Sequence, residues 1–514
     1  MLTACYLIVS SLFASSLLIA SPALSEVRLP SVWGDGMVIQ RNEPVTMRGS
    51  AEPGEQVTVT FAGSRVSAVT GADGSWLLTL PPKEAGGPYV MYVTGKNALV
   101  LDNILVGDVW LCGGQSNMQW PLRFCDSAGE TLAEAGNPML RIFVVDKKGA
   151  GSPRKDCGGR WDTCSPRSIA DFSGTAYHFG ETLTDELAIP IGLIQSAWGG
   201  TPAEAWVSLP ALSNEPALNG IRNGWERILE ERPPEIERYY DLTAAWFVFA
   251  FECMGQKEPY GKLPDPPEGY DKALWAPSWL YNAMIAPLTG FPIRGVIWYQ
   301  GESNAGRAHQ YRALFPALIK DWQRAWGRDD LPFLFCQLAT TGAIAETPGK
   351  SAWAELREAQ TMAADIPGNE MVVTIDLGGE DVHFRNKREV GRRLALTALG
   401  TEYNRDVVYK NPSFQGMAVE GSSVRLRFAD AGSGLTTTDG TSPRGFSIAG
   451  ADSVFVWAEA RFDGADIIVR NSAVPAPMAV RYGWANNPGC TVISRDGLPL
   501  APFRSDDFPA TAGR

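Results

Sequence analysis

Between residues about 105 and 400, short apolar runs alternate with stretches of helical periodicity, and on both sides of that region the helical periodicity stops. Ile104-Leu105-Val106 and Val109-Trp110-Leu111-Cys112 read as a first strand region, Thr175 to Leu187 as an amphipathic helix, and Ile191-Gly192-Leu193-Ile194 as the next strand. Residues 307–326 then read as helix, Phe333-Leu334-Phe335 as strand, 353–364 as helix, Met371-Val372-Val373-Thr374-Ile375 as strand and 387–399 as helix. Such alternation predicts a mostly parallel sheet covered by helices on both faces, because parallel strands need crossover connections. Residues about 207–280 interrupt the pattern; they are rich in Trp, Pro and Glu and are expected to form a helical insertion that partly roofs the site.

The flanks read differently. Over residues 26–104, Met37-Val38-Ile39, Val57 to Phe61, Ser75 to Leu80 and Tyr89 to Val93 are separated by Pro53-Gly54, Gly71-Ala72-Asp73-Gly74 and Gly86-Gly87-Pro88, an even spacing that predicts a β-sandwich. From about 404 to 514 the β pattern returns in Ser423 to Phe428, Val454 to Trp457, Asp466 to Val469 and Met478 to Tyr482. With 514 residues, about 150 per domain gives roughly three domains, in agreement with boundaries near 104 and 403.

Met1 to Ser25 contains no Lys, Arg, Asp or Glu and carries an apolar run followed by small residues. It reads as a signal peptide cleaved near Ser25/Glu26, and places the chain in the periplasm or outside the cell. Beyond it no stretch of 18 apolar residues occurs, so no membrane association is expected after cleavage. The net charge of −12, with no Lys/Arg block, excludes a nucleic-acid partner that binds by neutralising phosphates. Seven of the eight Cys lie beyond the leader, and Cys157 and Cys164, flanking a short loop, are the best disulfide candidates in an oxidising compartment. Neither C-x-x-C nor H-E-x-x-H occurs, the three His are far apart, and neither a metal nor a cofactor is expected.

The sharpest local signal is Gly113-Gly114-Gln115-Ser116-Asn117-Met118, directly after the first strand region. Ligands of a parallel α/β sheet bind beyond the carboxyl ends of its strands, and a Ser on a Gly-rich strand-to-helix turn exposes its Oγ there. The motif lacks the second Gly of G-x-S-x-G. Of the three His, His178 lies inside a predicted helix and His309 on a solvated helix face, whereas His383 follows a strand and a loop containing Glu380 and Asp381. An acid beside a His orients the imidazole and stabilises its cation. Gln300, in Trp298-Tyr299-Gln300-Gly301-Glu302-Ser303-Asn304, has an amide that could face an oxyanion. Gly199 or Gly200, in Ser196-Ala197-Trp198-Gly199-Gly200-Thr201, could add a backbone N–H. Strand ends thus supply a candidate nucleophile, base and two donors.

Gly107 to Met118, Trp298 to Ala305 and Asp381 to Lys387 together resemble the sialate O-acetylesterase family of SGNH-type carbohydrate esterases. Gly34 to Arg41, Arg481 to Pro488 and Gly497 to Arg504 match it as well, so the resemblance spans nearly the whole mature chain. It implies a flavodoxin-like α/β/α domain flanked by two β-sandwich domains. It implies metal-free hydrolysis of O-acetyl esters on sugars, with Ser116 as nucleophile and His383 as base. Oxyanion donors would be the Ser116 N–H, Gly199 or Gly200, and Gln300. Two acids compete to orient His383: Asp381, two residues before it as in close relatives, and Glu380, three before it as in other SGNH enzymes. Phe384 stands where the family usually has Pro. An acetylxylan or other plant-polysaccharide esterase is the alternative substrate reading. A glycosidase using Glu302 and Glu204, or a non-catalytic carbohydrate-binding protein, are the rival classes.

Overall fold

A computed structural model describes residues 26–126, 128–221, 223, 233–265 and 276–508. The expected leader, residues 1–25, lies outside the described residues, as do residues 222, 224–232 and 266–275 of the expected insertion.

The first six strands are β1 (Val38–Gln40), β2 (Val45–Ser50), β3 (Gln56–Phe61), β4 (Ser64–Val69), β5 (Ser75–Leu80) and β6 (Gly86–Thr94). β2 pairs antiparallel with β5, and β3 lies antiparallel between β4 and β6. Every second residue of β3 and β5 is buried: Val57, Val59 and Phe61 in one, Trp76, Leu78 and Leu80 in the other. That is the period-2 burial of strands with one face on a core.

β7 runs unbroken from Ala98 to Gly114. Its first part is antiparallel to β6, from Thr94 opposite Ala98 to Tyr89 opposite Ile104, and its last part enters a different, parallel neighbourhood. The boundary expected near residue 104 therefore falls inside one strand. The remaining strands of the sheet are β8 (Leu140–Val144), β9 (Trp161–Thr163), β10 (Ile191–Ala197), β11 (Gly295–Tyr299), β12 (Phe333–Cys336) and β13 (Asn369–Val372). They are ordered β13-β12-β11-β7-β10-β8-β9, all parallel to β7 except the edge strand β9. Without the β8–β9 edge, the spatial order in terms of chain order is 2-1-3-4-5, that of one common doubly wound sheet, whose ligand crevice opens between its first and third strands. Here those strands are β7 and β11.

Six helices matter below: α1 (Ser116–Gln119), α2 (Gly174–Leu187), α3 (Pro233–Gln256), α4 (Ala308–Trp326), α5 (Ala352–Ala363) and α6 (Lys387–Thr401). α2 packs with α6, and α4 with α5. Trp110 of β7 meets Phe179 of α2, whereas Trp298, which pairs beside Gly113, meets Trp322 of α4. Positions 110 and 113 point to opposite faces of a strand, so the helix pairs cover the two faces of the sheet. Trp110, Trp120, Trp198, Trp206, Trp298 and Trp322 are all fully buried, so much of the Trp content fills the core.

Beyond α6 the chain forms an antiparallel sheet from Ser413–Glu420, Ser423–Ala429, Asp466–Arg470 and Glu459–Asp463. A second four-stranded sheet contains Phe446–Ala449 and Ala479–Tyr482, and a separate core of Val424, Leu426, Ile448, Ile467, Val469 and Val480 fills this unit. Arg357 of α5 fastens it to the central sheet. Its guanidinium donates to Leu338 O (2.8 Å) and Ala339 O (2.8 Å) after β12, and to Gly483 O (3.3 Å), Ala485 O (2.8 Å) and Asn486 O (3.1 Å) of the C-terminal unit.

The expected Cys157–Cys164 disulfide is not formed: both are buried free thiols. The segment between them holds the extended strand β9, which carries the chain away along β8 instead of folding it back, and the Cys157 thiol donates to Gly158 O.

Candidate active site

The site starts from two glycines. Gly114 has φ +139°, and a Cβ there would lie 2.1 Å from Tyr299 O; a Cβ on Gly113 would lie 2.9 Å from the Trp298 ring. Only residues without side chains let β7 end this close to β11. Gln115 N–H then donates to Tyr299 O (2.9 Å), turning the chain so that Ser116 opens α1. No side chain caps this turn from Gln115, and the Ser116 N–H, at the first helical position, has no partner within the helix. Ser116 itself is buried.

His383 arrives from the far end of the domain and is held against the same turn. Trp120, whose N–H donates to Ser116 O (2.8 Å), stacks on the imidazole with ring centroids 5.2 Å apart and planes 13° apart. Asn117 Nδ2 donates to Val382 O (3.1 Å), tying the residue after the serine to the residue before the histidine. Asp381 Oδ1 accepts the His383 backbone N–H (2.8 Å) and lies 3.8 Å from Nδ1. Glu380 is anchored through its carbonyl, which accepts Gly342 N–H (3.1 Å), and among the described residues no hydrogen bond joins its carboxylate to the imidazole. Of the two candidate acids, Asp381 is the one beside the ring.

Burial, reinforced by the positive charge of Lys387 and opposed by Asp381, pushes the His383 imidazole down to about 4. Neutral imidazole accepts a proton and imidazolium does not, so a depressed value keeps the base competent further into acid. The acid limb of kcat/KM is therefore expected near pH 4, not near the unperturbed His value of about 6.5. A pH profile on an uncharged acetyl ester checks this, and a midpoint at or above the unperturbed value contradicts it.

The expected oxyanion donors stand differently from the sequence reading. Gln300 is fully buried, and its Nε2 donates to both Thr201 O (3.2 Å) and Asn304 Oδ1 (2.7 Å), while its Oε1 accepts from Tyr311 OH (3.0 Å). Both amide hydrogens are thus spent on the turns that shape the crevice. Gly199 N–H donates to Gln119 Oε1 (2.7 Å). Gly200 has φ +73°, and a Cβ there would lie 2.4 Å from Phe247 Cζ. In this arrangement Gln300→Ala is expected to leave buried Thr201 and Tyr311 groups without partners, at about 1–3 kcal/mol each. Its effect should fall on urea stability more than on kcat. A folded Gln300→Ala chain of wild-type stability with kcat reduced a hundredfold or more (about the cost of losing an oxyanion donor) would restore the original assignment.

α3, from the expected insertion, lies over these residues. Phe251 meets His383 edge-on at 6.1 Å and Trp120 at 5.6 Å, and Phe247 covers the Gly199–Gly200 turn. Beside His383 a cavity of about 790 Å³ opens between the 377–386 loop and Met254, Lys257, Glu258 and Tyr260. Its wall carries Asp126, Glu258, Glu380 and Asp381 against Lys257 and Arg385, and Arg385 donates to Gly255 O (3.1 Å).

The other histidines lie apart: His178 is buried in α2 with Nδ1 2.9 Å from Glu181, and His309 is exposed on α4. The two carboxylates of the glycosidase reading are both engaged. Glu204 accepts from Asn304 (2.9 Å) and pairs with Arg307 (2.6 Å), and Glu302 accepts from Asn117 (2.5 Å). Among the described residues no group of three or more His, Cys, Asp or Glu is placed to hold a metal ion. Sequence reasoning did not single out Trp120 or Asn117. Their signal was position, four residues and one residue after a serine that opens a helix.

A doubly wound sheet with a serine turning off one strand end and an imidazole stacked on the tryptophan four residues after that serine is the arrangement of an α/β ester hydrolase. The family described as carbohydrate esterase, sialic acid-specific acetylesterase, matches residues 264–400. Sialate O-acetylesterase of Rattus norvegicus is 31% identical over 428 residues, 74% of each chain, and that of Homo sapiens 29% identical over 435 residues, 76% of this chain and 73% of the human one. A carbohydrate acetylesterase from Xanthomonas citri, known by crystal structure, is 37% identical over 94% of this chain and all of its own, with a TM-score of 0.80. The chain belongs to the sialic acid-specific acetylesterase family of carbohydrate esterases.

Proposed function

We propose that the chain removes acetyl groups from O-acetylated sialic acid by a serine-esterase mechanism. The observation that carries this reading is the joining of the Ser116 turn to the His383 ring through Trp120 in a member of this family. Ser116 Oγ attacks the acetyl carbonyl carbon as the imidazole takes its proton. The oxyanion forms on the Ser116 N–H, and Gly199 N–H joins it once the substrate oxygen replaces Gln119 Oε1. The imidazolium, steadied by Asp381, then protonates the departing sugar oxygen. Water, deprotonated by His383, releases acetate from the acetyl-serine. In this reading the α/β unit is an SGNH-type domain between two β-sandwiches, the substrate partner is an O-acetylated sugar, and the chain is exported to the periplasm or beyond after losing residues 1–25.

Acetate release from O-acetylated sialic acid, compared with acetylated xylan, tests the substrate. An acid quench during turnover should leave an acetyl group on the peptide carrying Ser116. Turnover without that adduct, or no turnover of the sialic acid ester, overturns the reading. A second reading, an acetyl esterase of neutral polysaccharides, is favoured by the excess of acids around the cavity beside His383, which would repel a sugar carboxylate. Export is tested by N-terminal sequencing of the secreted chain: Glu26 is expected at the start, and Met1 there refutes cleavage.

A further inference from the structure

Behind the serine and histidine lies a buried polar chain that the reaction just described does not use. Lys387, the first residue of α6, is fully buried. Its Nζ donates to Asn117 Oδ1 (2.5 Å) and lies 3.7 Å from the centroid of the Phe384 ring and 5.9 Å from that of Tyr299. Asn117 Nδ2 in turn donates to Glu302 Oε1 (2.5 Å) and to Val382 O (3.1 Å). Glu302 Oε2 is buried and has no hydrogen-bond partner among the described residues. One amide therefore receives a cation on its oxygen and gives its two hydrogens to a carboxylate and to the loop bearing His383. It sits in the residue next to the nucleophile.

A buried lysine tied to a single side-chain acceptor is costly to keep unless its charge or its hydrogen bond has a use. We propose that Lys387 is a positioning residue for the esterase reaction: through Asn117 it fixes the His383 loop against the Ser116 turn, and its ammonium acts on the imidazole as a positive charge held in the same buried region. This rests on the serine-esterase reading. Two separable effects follow from the geometry. The hydrogen bond orients Asn117, and with it Val382 and His383. The charge acts on the imidazole through a region of low polarity.

The groups facing the two residues are few. His383 is faced by Asp381 of its own loop, Lys387 of α6, Trp120 at the end of α1 and Phe251 of α3. Lys387 is faced by Asn117 of α1, the Tyr299 ring of β11, Glu302 beyond it, Cys125, Cys336 of β12, and Asp381. Burial pushes both thiols up, so they stay uncharged, and it also raises the Glu302 carboxyl. Burial lowers Lys387 itself to about 8, with the neighbouring acids opposing that shift.

Lys387→Gln keeps a donor for Asn117 and removes the charge; Lys387→Met removes both. Both should move the acid limb of kcat/KM upward by about one pH unit or more, the usual effect of deleting a nearby like charge. Only Lys387→Met should also lower kcat by about tenfold or more with KM little changed, because the misaligned loop is felt in the transition state. A purely structural lysine would change stability and leave the limb in place, and that result in a folded variant overturns the proposal.

A measurement on the unaltered chain decides the matter should the variants fail to fold. With only three His, the His383 ring carbon resonance can be assigned and followed with pH. It should show a second inflection near pH 8, as Lys387 loses its proton. A resonance that is flat through that range overturns the proposal whether or not acetylated sialic acid is a substrate, whereas an inflection in a chain that leaves that ester untouched refutes only the substrate reading.

Discussion

His383→Ala is expected to remove nearly all esterase activity, a loss on the order of 10⁴–10⁶ in kcat by analogy with deleting the general base of serine hydrolases. Ser116 is a weak nucleophile until a neighbour takes its proton, and no other histidine is placed to do so. His178 is buried in α2 against Glu181, and His309 is exposed on α4. His309→Ala should keep most of the activity; His178→Ala should do the same wherever α2 still folds. The shape of the loss matters as much as its size. Trp120 and Phe251 pack on the ring, so the truncated chain keeps an apolar slot where the imidazole stood, and added imidazole is expected to restore part of the rate. Within the same loop, Asp381→Asn should cost far more rate than Glu380→Gln, since Asp381 Oδ1 both accepts the His383 N–H and lies 3.8 Å from Nδ1. Steady-state kinetics on the set, each variant checked for folding, measures all of this. Full activity in His383→Ala with an unaltered pH profile would return the chemistry to the engaged carboxylates Glu302 and Glu204.

The second large effect is on stability. Arg357→Ala is expected to destabilise the chain by at least about 3 kcal/mol, because several buried carbonyls lose their donor at once and each costs about 1–3 kcal/mol when left unpaired. Its five hydrogen bonds join carbonyls after β12 to carbonyls of the C-terminal unit. The damage should therefore concentrate on that seam, with faster proteolysis around residues 404–413 before the central sheet opens. Arg357→Lys should recover only part of the loss, since an ammonium gathers three donors at one point and the planar fork spreads five across the seam. Urea unfolding followed by tryptophan fluorescence, with timed proteolysis, checks both; a loss below about 1 kcal/mol would contradict the clamp.

The helices α2, α4, α5 and α6 lie within a few residues of their sequence expectations, because each is a long amphipathic pattern between apolar runs. Ser116 was legible because it stands two residues past the end of β7, and His383 because it lies in the loop that follows β13 with two acids directly before it. The engagement of Gln300 and Gly199 was not. Gln300 gives one hydrogen to distant Thr201 and the other to Asn304 of its own motif, Gly199 gives its N–H to distant Gln119, and no local pattern tells a spent donor from an open one. Lys387 was readable as a motif position but not as a buried cation, since its place under Asn117 depends on how α6 meets α1. The continuity of β7 was hidden for a different reason. Its first six residues lie half exposed and its last eleven fully buried, so the hydrophobic pattern changes character within one strand and reads as a boundary.

That strand has a consequence for how the molecule can be cut. The N-terminal β unit looks like an appendage that could be exchanged for another, as carbohydrate-binding modules are. Yet the strand that delivers the nucleophile begins inside it, paired with β6 from Ala98 to Ile104. A chain started after residue 104 would leave the remainder of β7 without its antiparallel partner and would bare Leu105 and Val106 at the root of the catalytic strand. β1 runs parallel to Leu105–Gly107 of the same strand, so swapping modules would require keeping β1, β6 and all of β7 with the esterase, and no single cut between the turn before Gly86 and residue 104 leaves the catalytic strand with its neighbours.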